Sequence, residues 1–138
     1  MSTRSAIIQK TAEGYRGIYC HHDGYLQGVG RALIEQNQYS TDEAVSALIS
    51  RGDMSSISKW PDECRSYAEM DGEYPFPFNA PIFGESIAEV ADQILLRHNG
   101  YVYVWEDNAW TVNGEPLPDA VYFDEEVTPY GEIAPVPS

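Results

Sequence analysis

The densest run of reactive side chains is Cys20-His21-His22-Asp23-Gly24-Tyr25. Thiol, imidazole and carboxylate groups ligate zinc, and a thiol beside an imidazole is the core of a nucleophilic site. Their spacing limits what they can do together. In a strand Cys20 and His22 point to one face, and His21 and Asp23 to the other. A metal needs three or four ligands converging on one point, and this run offers at most two per face. His98 and Cys64 are the distant candidates to complete a set, since no His-x-x-x-His or Cys-x-x-Cys spacing is present. A Cys20 nucleophile faces the same difficulty, because His21 diverges from it and His98 would have to serve as its base. The plainer reading makes Asp23-Gly24 a turn, Cys20 a small core residue and the histidines partly exposed polar groups. The residues therefore assign no catalytic, cofactor-binding or metal-ligating position. A metal- or Cys/His-dependent enzyme centred on Cys20, His21, His22 and Asp23 stays as the alternative.

Other candidates are weaker. Asp71, Glu73 and Glu85 bracket an aromatic loop and offer a carboxylate pair for general acid–base work. A chain with 22 acids supplies such pairs anywhere. Gly28-Val29-Gly30 opens a helix, but the full phosphate-binding fingerprint and its strand–helix–strand setting are missing. Ser55-Ser56 reads as a turn or cap.

The elements that must hold these groups follow from pattern. Residues 5–10 and 15–20 read as a hairpin around Ala12-Glu13-Gly14. Residues 28–38 carry helical spacing. A cleaner helix starts at Thr41, whose hydroxyl is N-cap chemistry, buries Val45, Leu48 and Ile49, and ends at Gly52. Residues 53–57 read as a polar connector, with a short helix from Pro61. Residues 71–84 form a Pro- and aromatic-rich loop, long enough to be functional or mobile. Residues 86–98 read as a helix with a Ser86/Glu89 capping pattern. Tyr101 to Trp105 is the strongest strand; it turns at 106–108, returns at 109–112, and a second tight turn follows at Asn113-Gly114. A short strand near 120–123 precedes an acidic, Pro-containing tail. The expected fold is a single α+β domain over 1–123: an antiparallel sheet of four to five strands with three to four helices on one face. Residues 124–138 are expected to be disordered.

Charge is distributed unevenly. Residues 1–65 hold eight acidic and seven basic side chains, whereas residues 66–138 hold fourteen acids against Arg97 alone. That argues against bare nucleic acid as a partner of the second half and allows a surface that imitates nucleic acid or one that docks on a basic protein surface. The carboxylates expected at that interface are Glu69, Asp71, Glu73, Glu85, Glu89, Asp92, Glu106 and Asp107. Tyr74, Phe76, Phe78 and Trp105 are the aromatic anchors beside them. Ten tyrosines against four phenylalanines lean towards half-wet aromatics, found on sheet edges and interfaces alike. Two cysteines make no disulfide framework, and no apolar run reaches membrane-span length. The expectation is an intracellular, reduced, soluble protein without a cofactor, with a homo-oligomer as a further partner class. The aromatic loop 74–83 is also a candidate small-ligand pocket, the third reading being a nucleotide sponge.

Met1 to Ile8 (MSTRSAII), Ile18 to Gln36 (IYCHHDGYLQGVGRALIEQ) and Gly52 to Ile57 (GDMSSI) resemble small proteins encoded by bacteriophages, prophages and conjugative plasmids. Their pattern is a Ser-Thr-Arg-Ser start, Ile/Val-Tyr-Cys-His-x-Asp-Gly-Tyr, a Gly-Val-Gly-like helix start and a later Gly-Asp-x-Ser-Ser-Leu-like segment. Here these are Ser2 to Ser5, Ile18 to Tyr25, Gly28 to Gly30 and Gly52 to Ile57. His22 departs from the tryptophan at that place in the pattern. The second half matches only in layout, an acidic stretch followed by a Tyr/Trp-rich hairpin. Members are of largely unknown function, so the resemblance transfers no catalytic residue. It implies a mobile-element origin, action in the host bacterial cytoplasm and, by association with such elements, an anti-CRISPR or antirestriction role against a host nucleic-acid-binding defence complex.

Overall fold

The computed structural model describes residues 3–67, 81–95 and 100–117. Eight strands share one open sheet: β1 (Arg4–Thr11), β2 (Gly14–Cys20), β3 (Met54–Ser56), β4 (Arg65–Ser66), β5 (Ile82–Gly84), β6 (Gly100–Glu106), β7 (Ala109–Val112) and β8 (Glu115–Pro116). Their order is β4-β3-β2-β1-β6-β7-β8, with β5 also paired to β2. The helices are α1 (Arg31–Ile34), α2 (Asp42–Ser50) and α3 (Ile87–Leu95), with a π-helical turn over Leu26–Gly30 and a 3₁₀ turn over Pro61–Glu63. The mixed α and β content agrees with expectation. The strand count exceeds it, and the sheet is mixed, because β1 runs parallel to β6 and β2 parallel to β3.

The central strand explains the architecture. Ser5, Ala6, Ile7, Ile8 and Gln9 are all buried, so β1 is covered on both faces. Ile7 joins the larger core with Leu48 and Ile49 of α2, Leu33 of α1, and Tyr103 and Trp105. Ala6 and Ile8 join a second core with Val90, Ala91 and Ile94 of α3 and Val104. Helices therefore lie on both faces, not one. The adjacent isoleucines carry this signal, since a strand buried on both sides reads as a continuous apolar run instead of an alternation. Each fully buried Ile or Leu contributes about 1.5–3 kcal/mol relative to exposure, so neither layer is dispensable.

Local chemistry sets the ends. The Thr41 hydroxyl accepts the Ala44 N–H at 3.1 Å, with Asp42 and Glu43 in the first turn of α2. The Ser86 hydroxyl accepts the Glu89 N–H at 3.1 Å, and the Glu89 carboxylate reaches back to the Glu85 N–H at 2.8 Å. Asp107 and Asn108 (φ 56° and 60°) and Asn113 and Gly114 (φ 50° and 86°) close two-residue hairpins in left-handed backbone. The segment read as a polar connector contains β3, and the end of the aromatic loop contains β5. The short strand near 120–123, the tail 124–138 and most of the 71–84 loop lie outside the described residues.

Candidate functional site

The parallel β1–β6 pair puts Gln9 opposite Trp105, so the hairpin tips that follow both strands emerge at one end of the sheet. Two helices begin at that end. Gln9 donates its amide N–H to the Asp42 carbonyl at 3.0 Å, and the Trp105 indole N–H meets the Asp42 carboxylate at 2.7 Å. These bonds dock the start of α2. The Tyr15–Gly84 pairing docks the start of α3. Gly14 allows this approach: its φ is +147°, and a Cβ there would stand 2.5 Å from the Gly84 carbonyl oxygen.

Three shallow depressions, of about 320, 330 and 330 Å3, surround Thr11 at this end. Their carboxylates are Glu13, Asp42, Glu43, Glu85, Glu106 and Asp107. The lining cations are Lys10 and Arg16, and both are engaged. The Lys10 ammonium lies 3.5 Å from Glu106 and 5.2 Å from the centre of the Tyr15 ring. Tyr15 and Glu106 together hold it protonated above the usual lysine range. The Tyr15 hydroxyl donates to Glu106 at 2.8 Å, which, with partial burial, raises its own ionisation point. Arg16 donates to the Ser46 carbonyl and hydroxyl (2.9 and 2.7 Å) and to the Ser50 hydroxyl (3.2 Å). Phe83 also lines this end at 65% exposure.

The sequence-derived interface residues divide three ways. Glu85, Glu106 and Asp107 belong to this end, and Glu89 caps the adjoining helix start. Asp92 is exposed farther along α3. Trp105 is corrected: it is 3% exposed, packs edge-on against Trp110 at 5.4 Å and spends its N–H on Asp42, so it is core and not a partner anchor. Glu69, Asp71, Glu73, Tyr74, Phe76 and Phe78 lie outside the described residues. Glu13, Asp42, Glu43 and Phe83 were missed. The first three sit in the nearly neutral half of the chain, and only the meeting of β1 with β6 brings them beside Glu106. An apolar side chain between Ile82 and Gly84 was the one signal for Phe83.

The Cys20–Asp23 run is structural in its contacts. Cys20 is fully buried, its thiol directed at the His22 and Ser55 carbonyls (3.5 and 4.0 Å), and burial pushes the thiol up to about 12. The Tyr19 hydroxyl contacts His21 Nδ1 at 2.5 Å, and burial followed by His22 and Arg4 lowers the His21 ionisation point. Among the described residues, no group of three His, Cys, Asp or Glu side chains is placed to hold a metal. The Gly28 and Val29 N–H groups are spent on the Tyr25 and Asp23 carbonyls, so this turn is not a phosphate cradle. Among the described residues, no helix is long and apolar enough to cross a membrane. No protein-family model, curated protein or solved structure matches the chain.

Proposed function

We propose that this chain is a non-enzymatic acidic interaction protein that docks the carboxylate end of its sheet onto a basic protein surface. One observation carries the reading. Carboxylates from two hairpin tips and two helix starts gather around Thr11, where the lining cations among the described residues, Lys10 and Arg16, are already engaged. Such a display attracts Arg/Lys surfaces built for phosphates, steers encounter with them and repels nucleic acid itself. The resemblance over Ser2 to Ser5, Ile18 to Tyr25, Gly28 to Gly30 and Gly52 to Ile57 supports a mobile-element origin. It also supports a host nucleic-acid-binding defence complex, in the host bacterial cytoplasm, as the target. The fully buried Cys20 thiol weighs against the Cys/His enzyme.

The test is affinity purification from bacterial host lysate with the wild type and with a Glu13→Lys, Glu85→Lys, Asp107→Lys variant. A nucleic-acid-binding protein should be retained by the wild type, weaken as salt rises and be lost from the variant. Equal recovery on both proteins at every salt concentration sinks the reading.

A further inference from the structure

We propose that the depression beside Phe83 is an arginine-reading pocket, which takes one guanidinium from the docked partner. This rests on the docking reading above and names the side chain that the surface selects.

Phe83 is the most exposed large hydrophobic among the described residues. Its neighbours show why it stays outside the core. Ile82 packs with the α3 core, and a Cβ on Gly84 would stand 2.8 Å from Val90 Cγ2. Period-two alternation then turns Phe83 to the opposite face. A lone exposed phenylalanine is ordinary by itself, but the backbone here is also available. Thr11 pairs with Gly14 across a two-residue turn, so the even-numbered residues of β2 bond β1. The odd ones face away, as the Tyr19 N–H bonded to Asp53 and the His21 N–H bonded to Met54 confirm. Tyr15 and Gly17 therefore bond Gly84 and Ile82. The N–H and C=O of Phe83 point outward, where nothing among the described residues pairs with them.

The depression holds about 320 Å3 and is lined by Thr11, Glu13, Tyr15, Phe83, Gly84 and Glu85. Among its described lining residues it offers the Phe83 ring, two carboxylates and no cation. Tyr15 pairs with Gly84 on the other face, and Arg16, opposite Phe83, spends its guanidinium on Ser46 and Ser50. The same chemistry is already satisfied next door from within the chain, where Lys10 sits over Tyr15 and beside Glu106. The Phe83 depression presents a ring beside carboxylates with no cation among its described lining residues. Charge complementarity calls for a cation, and shape calls for arginine. A planar guanidinium stacks on the Phe83 ring while its five N–H groups reach Glu13, Glu85 and the outward Phe83 carbonyl. A compact lysine ammonium can pair with a carboxylate but cannot stack flat.

The test uses the full chain and two peptides of equal length and charge, one arginine-rich and one lysine-rich, measured by titration calorimetry at low salt. The wild type should prefer the arginine peptide about tenfold. Phe83→Ala and Phe83→Leu should both erase that preference, leave lysine-peptide affinity unchanged and melt with the wild type. Leucine keeps an apolar side chain and removes only the ring. A Glu13→Gln, Glu85→Gln variant should weaken both peptides. Equal affinity for the two peptides, or a preference that survives Phe83→Leu, overturns the pocket while leaving the docking surface standing. Binding of neither peptide overturns both.

Discussion

Cys20 should be inert to alkylation while the protein is folded. Its side chain is fully buried, and its thiol is directed at two backbone carbonyls, not at an imidazole. Burial moves its ionisation from 9.0 up to about 12. Each pH unit is a factor of ten in thiolate, so three units leave about a thousandfold less of the reactive species than an ordinary cysteine has. Access multiplies that factor, because the reagent reaches Sγ only when the β2–β3 region opens. The sign for stability also follows. A thiol raised on folding contributes stability that is complete below its unfolded value and lost as pH climbs through about 12, so Cys20 leaves stability flat near neutrality. The assay is iodoacetamide labelling at mildly alkaline pH, resolved by peptide mass spectrometry, with and without urea. Labelling of native Cys20 should run at least about a thousandfold slower than that of the unfolded chain. A native rate within about tenfold of the unfolded one would refute the burial and return the Cys/His enzyme to consideration.

Three further outcomes follow from single contacts. The buried Tyr103 hydroxyl donates to the Gly24 carbonyl at 2.7 Å, so Tyr103→Phe strands that acceptor and should cost about 1–3 kcal/mol in urea unfolding. A loss below about 0.5 kcal/mol would show that water replaces it. Gly14→Ala places a Cβ 2.5 Å from the Gly84 carbonyl at a φ of +147° and should cost more than about 1 kcal/mol. Thermal melting checks this, and a wild-type melt counts against the tight turn. Asp53 accepts the Tyr19 N–H at 2.9 Å, yet burial raises its ionisation point above the usual carboxylate value. A raised carboxylate contributes stability that is present below its unfolded value and lost as pH rises through the folded one. Asp53→Asn keeps the acceptor and drops the charge, so its stability relative to wild type should improve from acidic to neutral pH. An identical difference at both pH values would contradict the buried charge.

Legibility tracked distance along the chain. The Thr41 cap, the Ser86 cap and the turns at 107–108 and 113–114 act within a few residues, and all were readable. The apolar face of α2 was readable from Val45, Leu48 and Ile49. β3 and β5 were not. Each is three residues long, too short for any periodicity, and exists because β2 offers it an edge. The site was half legible: Glu85, Glu106 and Asp107 stood out by charge, whereas Trp105 was mistaken for a surface aromatic. Its burial comes from Trp110 across the hairpin and from Asp42, 63 residues away.

By itself the sequence determined the local pieces: which stretches turn, where helices begin, and how many negative charges the protein must carry. It also settled that Ile7 and Ile8, adjacent in one strand, need cover on opposite sides. Tertiary structure alone decided where the charges go. The uneven division of acids between the two halves of the chain is not the division found in space. The parallel pairing of β1 with β6 brings Glu13, Asp42 and Glu43 of the balanced half beside Glu85, Glu106 and Asp107 of the acidic half. Parallel strands demand a long connection, so their register is chosen by packing on both faces and leaves no short-range trace.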